Sequence, residues 1–180
     1  MCIRDSNSVK CLGFNDDQII PCLAKLSPPP GRMRQLANSN IWIDYAHTPD
    51  ALDNALSTLK KHYPEFNIRV IFGCGGDRDK GKRQMMGKIA SERADSIILT
   101  NDNPRSETPQ AIIDDILAGT KVENDVQIIL DRGDAIRSAI QSLGEEEALL
   151  IAGKGHETTQ VIGSKSHPFS DIEVALDALK

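Results

Sequence analysis

The sequence predicts an α/β fold built around a mostly parallel sheet, and two observations lead to that prediction. Short apolar segments recur along the chain, and a segment with helical spacing of its apolar residues follows each of them. A polar, glycine-rich or proline-bearing junction separates each apolar segment from the next helix. Alternation of this kind is typical of βαβ units, whose crossovers place helices on both faces of the sheet.

The apolar segments define the expected strands, which are Ile41–Asp44, Arg69–Cys74, Ser96–Thr100, Val126–Leu130 and Ala148–Gly153. The expected helices are Pro49–His62, Gly81–Arg93, Thr108–Leu117, Gly133–Leu143 and Asp171–Lys180. The first of these helices repeats apolar residues at i, i+3 and i+4, which indicates one buried face. Near the carboxyl end, Thr158–Gly163 alternates polar and apolar residues, so we expect an antiparallel edge strand there.

Length and composition narrow the functional classes. A chain of 180 residues suits one domain and part of a second better than two complete domains. The net charge of −5 argues against a nucleic-acid-binding protein, because such proteins need a basic surface. The four cysteines form no CxxC pair, so neither a zinc site nor a disulfide framework is predicted, and a reducing cytosol is the default compartment.

The amino-terminal region is predicted to contain a boundary. Residues 1–6 (MCIRDS) show neither a periodic pattern of apolar residues nor a helix cap, and we expect them to be a non-native leader. Asn15–Leu26 starts with an Asn/Asp cap and places apolar residues on one face, so a short helix is predicted despite Pro21. The three prolines of Ser27–Arg32 cannot continue that helix, and they mark an extended spacer between domains.

The junctions that follow the strands are unusually rich in charge. In a parallel sheet the carboxyl ends of the strands lie along one edge, where ligands bind. The basic residues of these junctions are Arg78, Lys80, Lys82, Arg83, Arg105, Arg132 and Lys154, and the acidic residues between them include Asp44, Asp77, Asp102 and Glu157. A cleft of mixed charge suits a ligand that has both anionic and cationic groups.

Each junction is also compatible with an ordinary turn. Gly73, Gly75 and Gly76 fit a tight strand exit at positive φ, and Asn, Asp and Pro in NDNPR are common turn residues. The repetition of dense charge at successive junctions favours a site over plain turns. The sequence contains no GxxxxGK[ST] motif, so the phosphate loop of any nucleoside triphosphate site is expected elsewhere.

Several stretches resemble, in order and spacing, the carboxy-terminal domain of the Mur ligases, specifically the diaminopimelate-adding members. They are PGRM (30–33), DYAHTPDAL (44–52), GCGGDRDKGKR (73–83), DNPR (102–105), AGKGHE (152–157) and FSD (169–171). The resemblance runs from about residue 7 to the end and implies a Rossmann-like three-layer domain. It makes residues 7–27 the end of a central ATP-binding domain and residues 28–180 the carboxy-terminal, amino-acid-binding domain. The chain lacks the family's first two domains, so we expect a fragment that is inactive alone.

The resemblance also implies a reaction. In the family, ATP activates the terminal carboxylate of UDP-MurNAc-L-Ala-D-Glu as an acyl phosphate, and the amine of meso-diaminopimelate then attacks it. ATP is therefore a substrate, and its main sites, with those of Mg²⁺, are expected in the central domain. Within the present chain we expect no metal site and no assignable catalytic residue. A monomer in the bacterial cytoplasm is expected, without nucleic-acid binding or membrane insertion.

Matching positions carry the family's binding residues onto this chain. The diaminopimelate-site residues implied in this way are Arg78, Asp102, Asn103, Pro104, Arg105, Gly153 and Glu157, and those that reach ATP are Arg32, Asp44 and His47. A guanidinium holds a carboxylate through two hydrogen bonds, so Arg78 and Arg105 suit the distal carboxylate that lysine lacks. Glu157 and the Gly153 carbonyl suit the distal ammonium.

Two alternatives remain at this stage. Folylpolyglutamate synthase, from the same superfamily, also pairs an Asp with a His after the first strand of this domain. Its pattern resembles DGAHNP rather than DYAHTP, and it has no counterpart of DNPR. A stand-alone amino-acid-binding module, in which the cleft only senses a zwitterion, is the alternative from a different functional class.

Overall fold

The computed structural model describes residues 10–23, 31–36, 38–121 and 125–180. In this part of the chain the strands are β1 Arg34–Gln35, β2 Ile41–Asp44, β3 Asn67–Phe72, β4 Ser96–Leu99, β5 Asp125–Ile128, β6 Glu147–Ala152, β7 Thr159–Ile162 and β8 Lys165–Pro168. The helices there are α1 Asp16–Leu23, α2 Pro49–His62, α3 Gly81–Arg93, α4 Pro109–Leu117, α5 Arg132–Gln141 and α6 Asp171–Ala178.

Within the described residues a six-stranded sheet forms in the order β1-β2-β6-β3-β4-β5. Strands β2 to β6 pair in parallel, and only β1 runs antiparallel, against β2. One face of the sheet packs against α2, α3 and α4, and the other packs against α5 and α6. The predicted α/β class, with helices on both faces of a mostly parallel sheet, is confirmed.

Local sequence explains where two of the helices begin. Thr48 caps α2, because its Oγ1 accepts a hydrogen bond from the Ala51 N–H and Pro49 occupies the first helical turn. Asp131 caps α5 in the same way, with Oδ1 2.8 Å from the Asp134 nitrogen. The buried face of α2 carries the apolar residues predicted from its period. These caps place each helix start directly after a strand end.

The prediction for Thr158–Gly163 was wrong in its position. Thr159–Ile162 (β7) does pair antiparallel, but with β8, in a separate two-stranded sheet. The antiparallel edge strand of the main sheet is β1 instead. The reason is that β7 contacts the DNPR turn: Arg105 and Ile162 form an isolated parallel bridge. A period of two predicts a strand but not its neighbour.

Other predicted bounds shifted by a few residues. The strand predicted at Arg69–Cys74 runs from Asn67 to Phe72, so Gly73 and Cys74 belong to the junction. The predicted helix Asn15–Leu26 is observed as α1 up to Leu23, and residues 24–30 and the predicted leader 1–6 lie outside the described residues. In the described part of the chain no helix is long and apolar enough to cross a membrane.

Candidate functional site

A cleft of about 490 Å³ opens at the carboxyl ends of the parallel strands. The loops after β2, β3, β4 and β6 line it, as expected for the switch region of a parallel sheet. The lining includes every residue predicted for diaminopimelate except Pro104, namely Arg78, Asp102, Asn103, Arg105, Gly153 and Glu157. Residues named from separate motifs therefore meet in one cavity.

The DNPR turn forms one wall of the cleft. Asp102, Asn103 and Pro104 are buried, while Arg105 is half-buried with φ of 52°. The Arg105 backbone is held on both sides by the β7–β8 hairpin, because its N–H donates to the Val161 carbonyl at 3.1 Å and its carbonyl accepts from the Gly163 N–H at 2.8 Å. A left-handed conformation that a non-glycine residue rarely adopts is thus supported by tertiary contacts.

The Arg105 side chain is anchored at one end. Its Nη1 donates to the Gly76 carbonyl at 2.8 Å and contacts the Asn103 carbonyl at 3.4 Å. Among the described residues, Nε and Nη2 have no hydrogen-bond partner, and the side chain lines the cleft. Arg78 lines the same cleft and is exposed. Two guanidinium groups are therefore available to a carboxylate at this wall.

The glycine-rich loop after β3 lies directly against the DNPR turn. The Gly76 N–H donates to the Asn103 carbonyl at 2.9 Å. A Cβ on Gly76 would collide with the Pro104 carbonyl oxygen. The alternative that Gly73, Gly75 and Gly76 serve to adopt positive φ is wrong, because none of them does. At Gly76 close backbone approach is the reason for glycine.

A second part of the cleft lining is formed around Glu157, which receives hydrogen bonds from three side chains. Lys154 Nζ lies 2.9 Å from Oε2, Asn103 Nδ2 lies 3.3 Å from the same oxygen, and the Tyr45 hydroxyl lies 3.4 Å from Oε1. Burial by itself raises the pKa of Glu157, but the hydrogen bond and charge of Lys154 lead the contacts that outweigh it and hold the pKa below its ordinary value. Glu157 is therefore a carboxylate that can accept from an ammonium group.

The residues predicted to reach ATP divide between two cavities. His47 lines the cleft, where its Nδ1 lies 2.9 Å from the Tyr45 carbonyl and donates to it, because a carbonyl oxygen can only accept. Arg32 and Asp44 line a neighbouring groove of about 220 Å³ instead. Burial raises the pKa of Asp44, and the Met33 N–H, 2.7 Å from Oδ2, opposes that effect. The Arg32 guanidinium lies 5.5 Å from the centre of the Tyr45 ring, at the border between the two cavities.

Comparison with known proteins assigns the family. The family model described as "Mur ligase, glutamate ligase domain" matches residues 31–155. The chain belongs to the Mur ligase family. A relative named UDP-N-acetylmuramoyl-L-alanyl-D-glutamate–2,6-diaminopimelate ligase, from Coxiella burnetii, is 50% identical over 176 residues, which is 96% of this chain and 36% of the relative.

Solved structures agree with the Mur ligase assignment. A structure titled as UDP-N-acetylmuramoyl-L-alanyl-D-glutamate–2,6-diaminopimelate ligase superimposes with a TM-score of 0.79 at 38% identity, covering 96% of this chain and 36% of that one. A bifunctional folylpolyglutamate synthase/dihydrofolate synthase from Yersinia pestis reaches 0.61 at 18% identity, covering 92% and 34%, which shows a common fold only. The chain spans about 36% of the length of the curated relatives it matches.

Two basic residues assigned to the cleft by sequence belong instead to buried ion pairs that support this Mur ligase domain. Arg83 has no exposed side-chain surface and pairs with Glu107 at 2.8 Å and Asp115 at 2.8 Å. Arg132 is likewise buried and pairs with Asp171. Both were predicted to be cleft charges because they follow strands. In the structure each guanidinium is removed from solvent and paired with a carboxylate, so both residues have a structural role. Neither lines the cleft.

The structure adds cleft residues to which sequence reasoning gave no role. Tyr45, Thr48 and Asp79 line the cleft, as does Lys82, which was predicted only as one of the charges of this edge. Lys154, predicted in the same way, is buried and bonded to Glu157. All of them fall inside the motifs that carry the family resemblance, which was the available signal. Across the described residues, no group of three or more His, Cys, Asp or Glu side chains is arranged to hold a metal ion.

Proposed function

We propose that the chain is the carboxy-terminal domain of an ATP-dependent ligase that adds meso-2,6-diaminopimelate to UDP-MurNAc-L-Ala-D-Glu in peptidoglycan precursor synthesis. The observation that carries this proposal is the cleft itself. Arg78, Arg105 and Glu157 all line it, so one cavity offers a site for a carboxylate and a site for an ammonium group. The diaminopimelate ligase names of the relatives support the same substrate.

The chemistry of the ligand fits this arrangement. Diaminopimelate carries an amino and a carboxyl group at each end, whereas lysine lacks the second carboxylate. The unpaired N–H groups of Arg105, together with Arg78, suit bidentate binding of that carboxylate, which a lysine side chain could not provide. A volume of about 490 Å³ lies within the range of small-molecule sites.

The role we assign to this domain in the reaction is positioning. In the complete enzyme, the substrate carboxylate attacks the terminal phosphorus of ATP, ADP leaves, and an acyl phosphate forms. The diaminopimelate amine then attacks the acyl carbon, phosphate leaves, and the amine loses its proton. Holding the amine beside the acyl carbon is where this domain contributes, because orientation supplies much of the rate in such a transfer.

Domain closure would bring to ATP the three residues that the family resemblance assigns to it, Arg32, Asp44 and His47. His47 lines the cleft, whereas Arg32 and Asp44 line the neighbouring groove. We assign residues 7–27 to the end of the central ATP-binding domain and residues 28–180 to this domain. Mg²⁺, which offsets phosphate charge, belongs with ATP in the central domain, and we propose a cytoplasmic, monomeric bacterial enzyme that binds no nucleic acid.

The decisive experiment tests the chain together with the preceding domains of a relative. Residues 7–180 are joined to the preceding domains of the Coxiella burnetii relative, and amide-bond formation is followed with meso-diaminopimelate and with lysine as the matched ligand. We expect turnover with diaminopimelate and at least about a hundredfold preference over lysine, the scale on which a site built for a polar group rejects an analogue that lacks it. Equal use of both amino acids, or none with a folded chimera, would refute the proposal.

A further inference from the structure

Lys154 is a buried charge that the proposed reaction does not use. Its side chain has no exposed surface, which is rare for lysine unless the ammonium is paired. Nζ donates to Asn103 Oδ1 at 3.1 Å and to Glu157 Oε2 at 2.9 Å. It is absent from the lining of the cleft, whereas both of its partners line it. Lys154 therefore acts on the cleft only through these two residues.

The hydrogen bonds of Asn103 fix the orientation of its amide. Lys154 Nζ and the Val161 N–H, 2.8 Å away, can only donate, so the atom that receives both must be the amide oxygen. Two donors fill the two lone pairs of that oxygen. The amide nitrogen gives one N–H to Glu157 at 3.3 Å, and within the described residues its second N–H has no partner. Asn103 can thus offer the cleft a donor but no acceptor.

We propose that Lys154 is a positioning residue of the cleft. Its buried ammonium keeps Glu157 ionised and, with the Val161 N–H, turns the Asn103 amide so that a donor and an acceptor stand side by side. Such a pair suits the carboxylate and ammonium of one amino-acid centre, because Asn103 donates to the first and Glu157 accepts from the second. This reading of the ligand rests on the proposed function, but the arrangement of the three side chains does not.

Other charged groups also face Glu157 and bear on its titration. They are Tyr45 from the loop after β2 and Arg132 from α5, and Asp102 from the loop after β4 interacts with both of these. Tyr45 in turn contacts the rings of His47 at 4.5 Å and His156 at 5.3 Å. Since all of these remain in a Lys154 variant, a comparison of that variant with the unchanged chain isolates the contribution of Lys154.

The first test needs no ligand. The carboxyl carbon of Glu157 is followed by NMR against pH in the unchanged chain, in Lys154→Met and in Lys88→Met, a control in which an exposed lysine of α3 is changed in the same way. We expect Glu157 to titrate below the usual glutamate range in the unchanged chain and in the control. In Lys154→Met its pKa should rise by about one unit or more, because burial is no longer offset by the ammonium.

A merely structural role for Lys154 would lower stability without moving this titration. An unchanged Glu157 pKa in folded Lys154→Met would therefore overturn the inference. Should that variant not fold, the unchanged chain still decides the matter, since titration of its Glu157 at or above the usual glutamate range contradicts the role of Lys154.

The second test measures calorimetric binding of meso-diaminopimelate to the 180-residue chain at about pH 7 and about pH 5. A protonated Glu157 cannot accept from an ammonium group. When the pH is lowered from about 7 to about 5, the affinity of Lys154→Met for diaminopimelate should therefore fall at least about threefold more than that of the unchanged chain. Equal pH profiles would contradict the inference. Failure of the unchanged chain to bind diaminopimelate would count against the proposed ligand, and the carboxyl titration would still decide the role of Lys154.

Discussion

Arg132 and Asp171 form a fully buried ion pair joined by two hydrogen bonds. Nε lies 2.7 Å from Oδ1 and Nη2 lies 2.8 Å from Oδ2. Nη2 also donates to the carbonyl of Ala152 at 2.9 Å, immediately before Gly153 of the cleft. The pair thereby joins the start of α5, the start of α6 and the end of β6. The pair therefore holds the start of the loop that carries Lys154 and Glu157.

Removal of the Asp171 charge should destabilise the domain strongly. In Asp171→Asn the Arg132 guanidinium stays buried without its counter-charge, and we expect the free energy of unfolding to fall by about 3–5 kcal/mol. Urea unfolding followed by circular dichroism measures the change. The matched control is Asp177→Asn on the exposed side of the same helix, which should behave like the unchanged chain. A loss no larger than that of the control would contradict the structural role of the pair.

Removal of the Arg105 guanidinium should remove the preference for diaminopimelate. We expect Arg105→Ala, in the chimera, to lower kcat/KM for diaminopimelate. The activation free energy calculated from that ratio should rise by about 2–4 kcal/mol, the cost of truncating a charge-paired contact. Use of lysine should be much less affected. Arg137→Ala, which removes an exposed arginine of α5, is the control and should leave both values unchanged.

A companion variant separates binding from backbone strain at position 105. Arg105→Gly also lacks the guanidinium but accepts the φ of 52° without cost. Arg105→Gly should lose the preference for diaminopimelate as fully as Arg105→Ala does. In urea it should be at least as stable as Arg105→Ala. Undiminished diaminopimelate kinetics in both variants would show that Arg105 does not select the substrate.

Addition of one methyl group at Gly76 should separate the two loops that form the arginine wall. The new Cβ would meet the Pro104 carbonyl oxygen, so Gly76→Ala should lower the free energy of unfolding by about 1–3 kcal/mol, as overpacking does. It should also weaken diaminopimelate binding, because Arg105 is anchored to the Gly76 carbonyl. Gly144→Ala is the control: its Cβ finds its nearest neighbour at 3.4 Å, an ordinary contact. Equal urea midpoints for the two variants would contradict the packing argument.

Acid should weaken the domain through Glu107. The hydrogen bond from Arg83, followed by that from the Asp77 N–H, lowers the pKa of Glu107 from 4.5 to about 2. A carboxyl whose folded pKa is depressed stabilises the fold above its unfolded value and loses that contribution as pH falls through the folded one. The free energy of unfolding should therefore decline between pH 4.5 and about 2. Urea unfolding at several pH values checks this, and Glu107→Gln should show a shallower decline; an identical slope would contradict the assignment.

Local sequence was sufficient to predict most of the elements. Ile41–Asp44, Pro49–His62 and Gly81–Arg93 occur with the predicted bounds, because apolar spacing and caps such as Thr48 act within a few residues along the chain. The grouping of the motif residues at one edge follows from the parallel sheet, in which every strand ends on the same side. The family resemblance contributed the individual residues, and the cleft contains most of them.

Tertiary structure alone decided which charges face the cleft. Arg83, Arg132 and Lys154 follow strands just as Arg78 and Arg105 do, and nothing in their spacing distinguishes the two groups. Burial and partners distinguish them. Asp171, for example, lies 39 positions from Arg132, and the β7 strand that supports Arg105 pairs away from the main sheet. Periodicity and motifs reach only neighbouring residues, whereas desolvation and charge pairing depend on which distant segments the fold brings together.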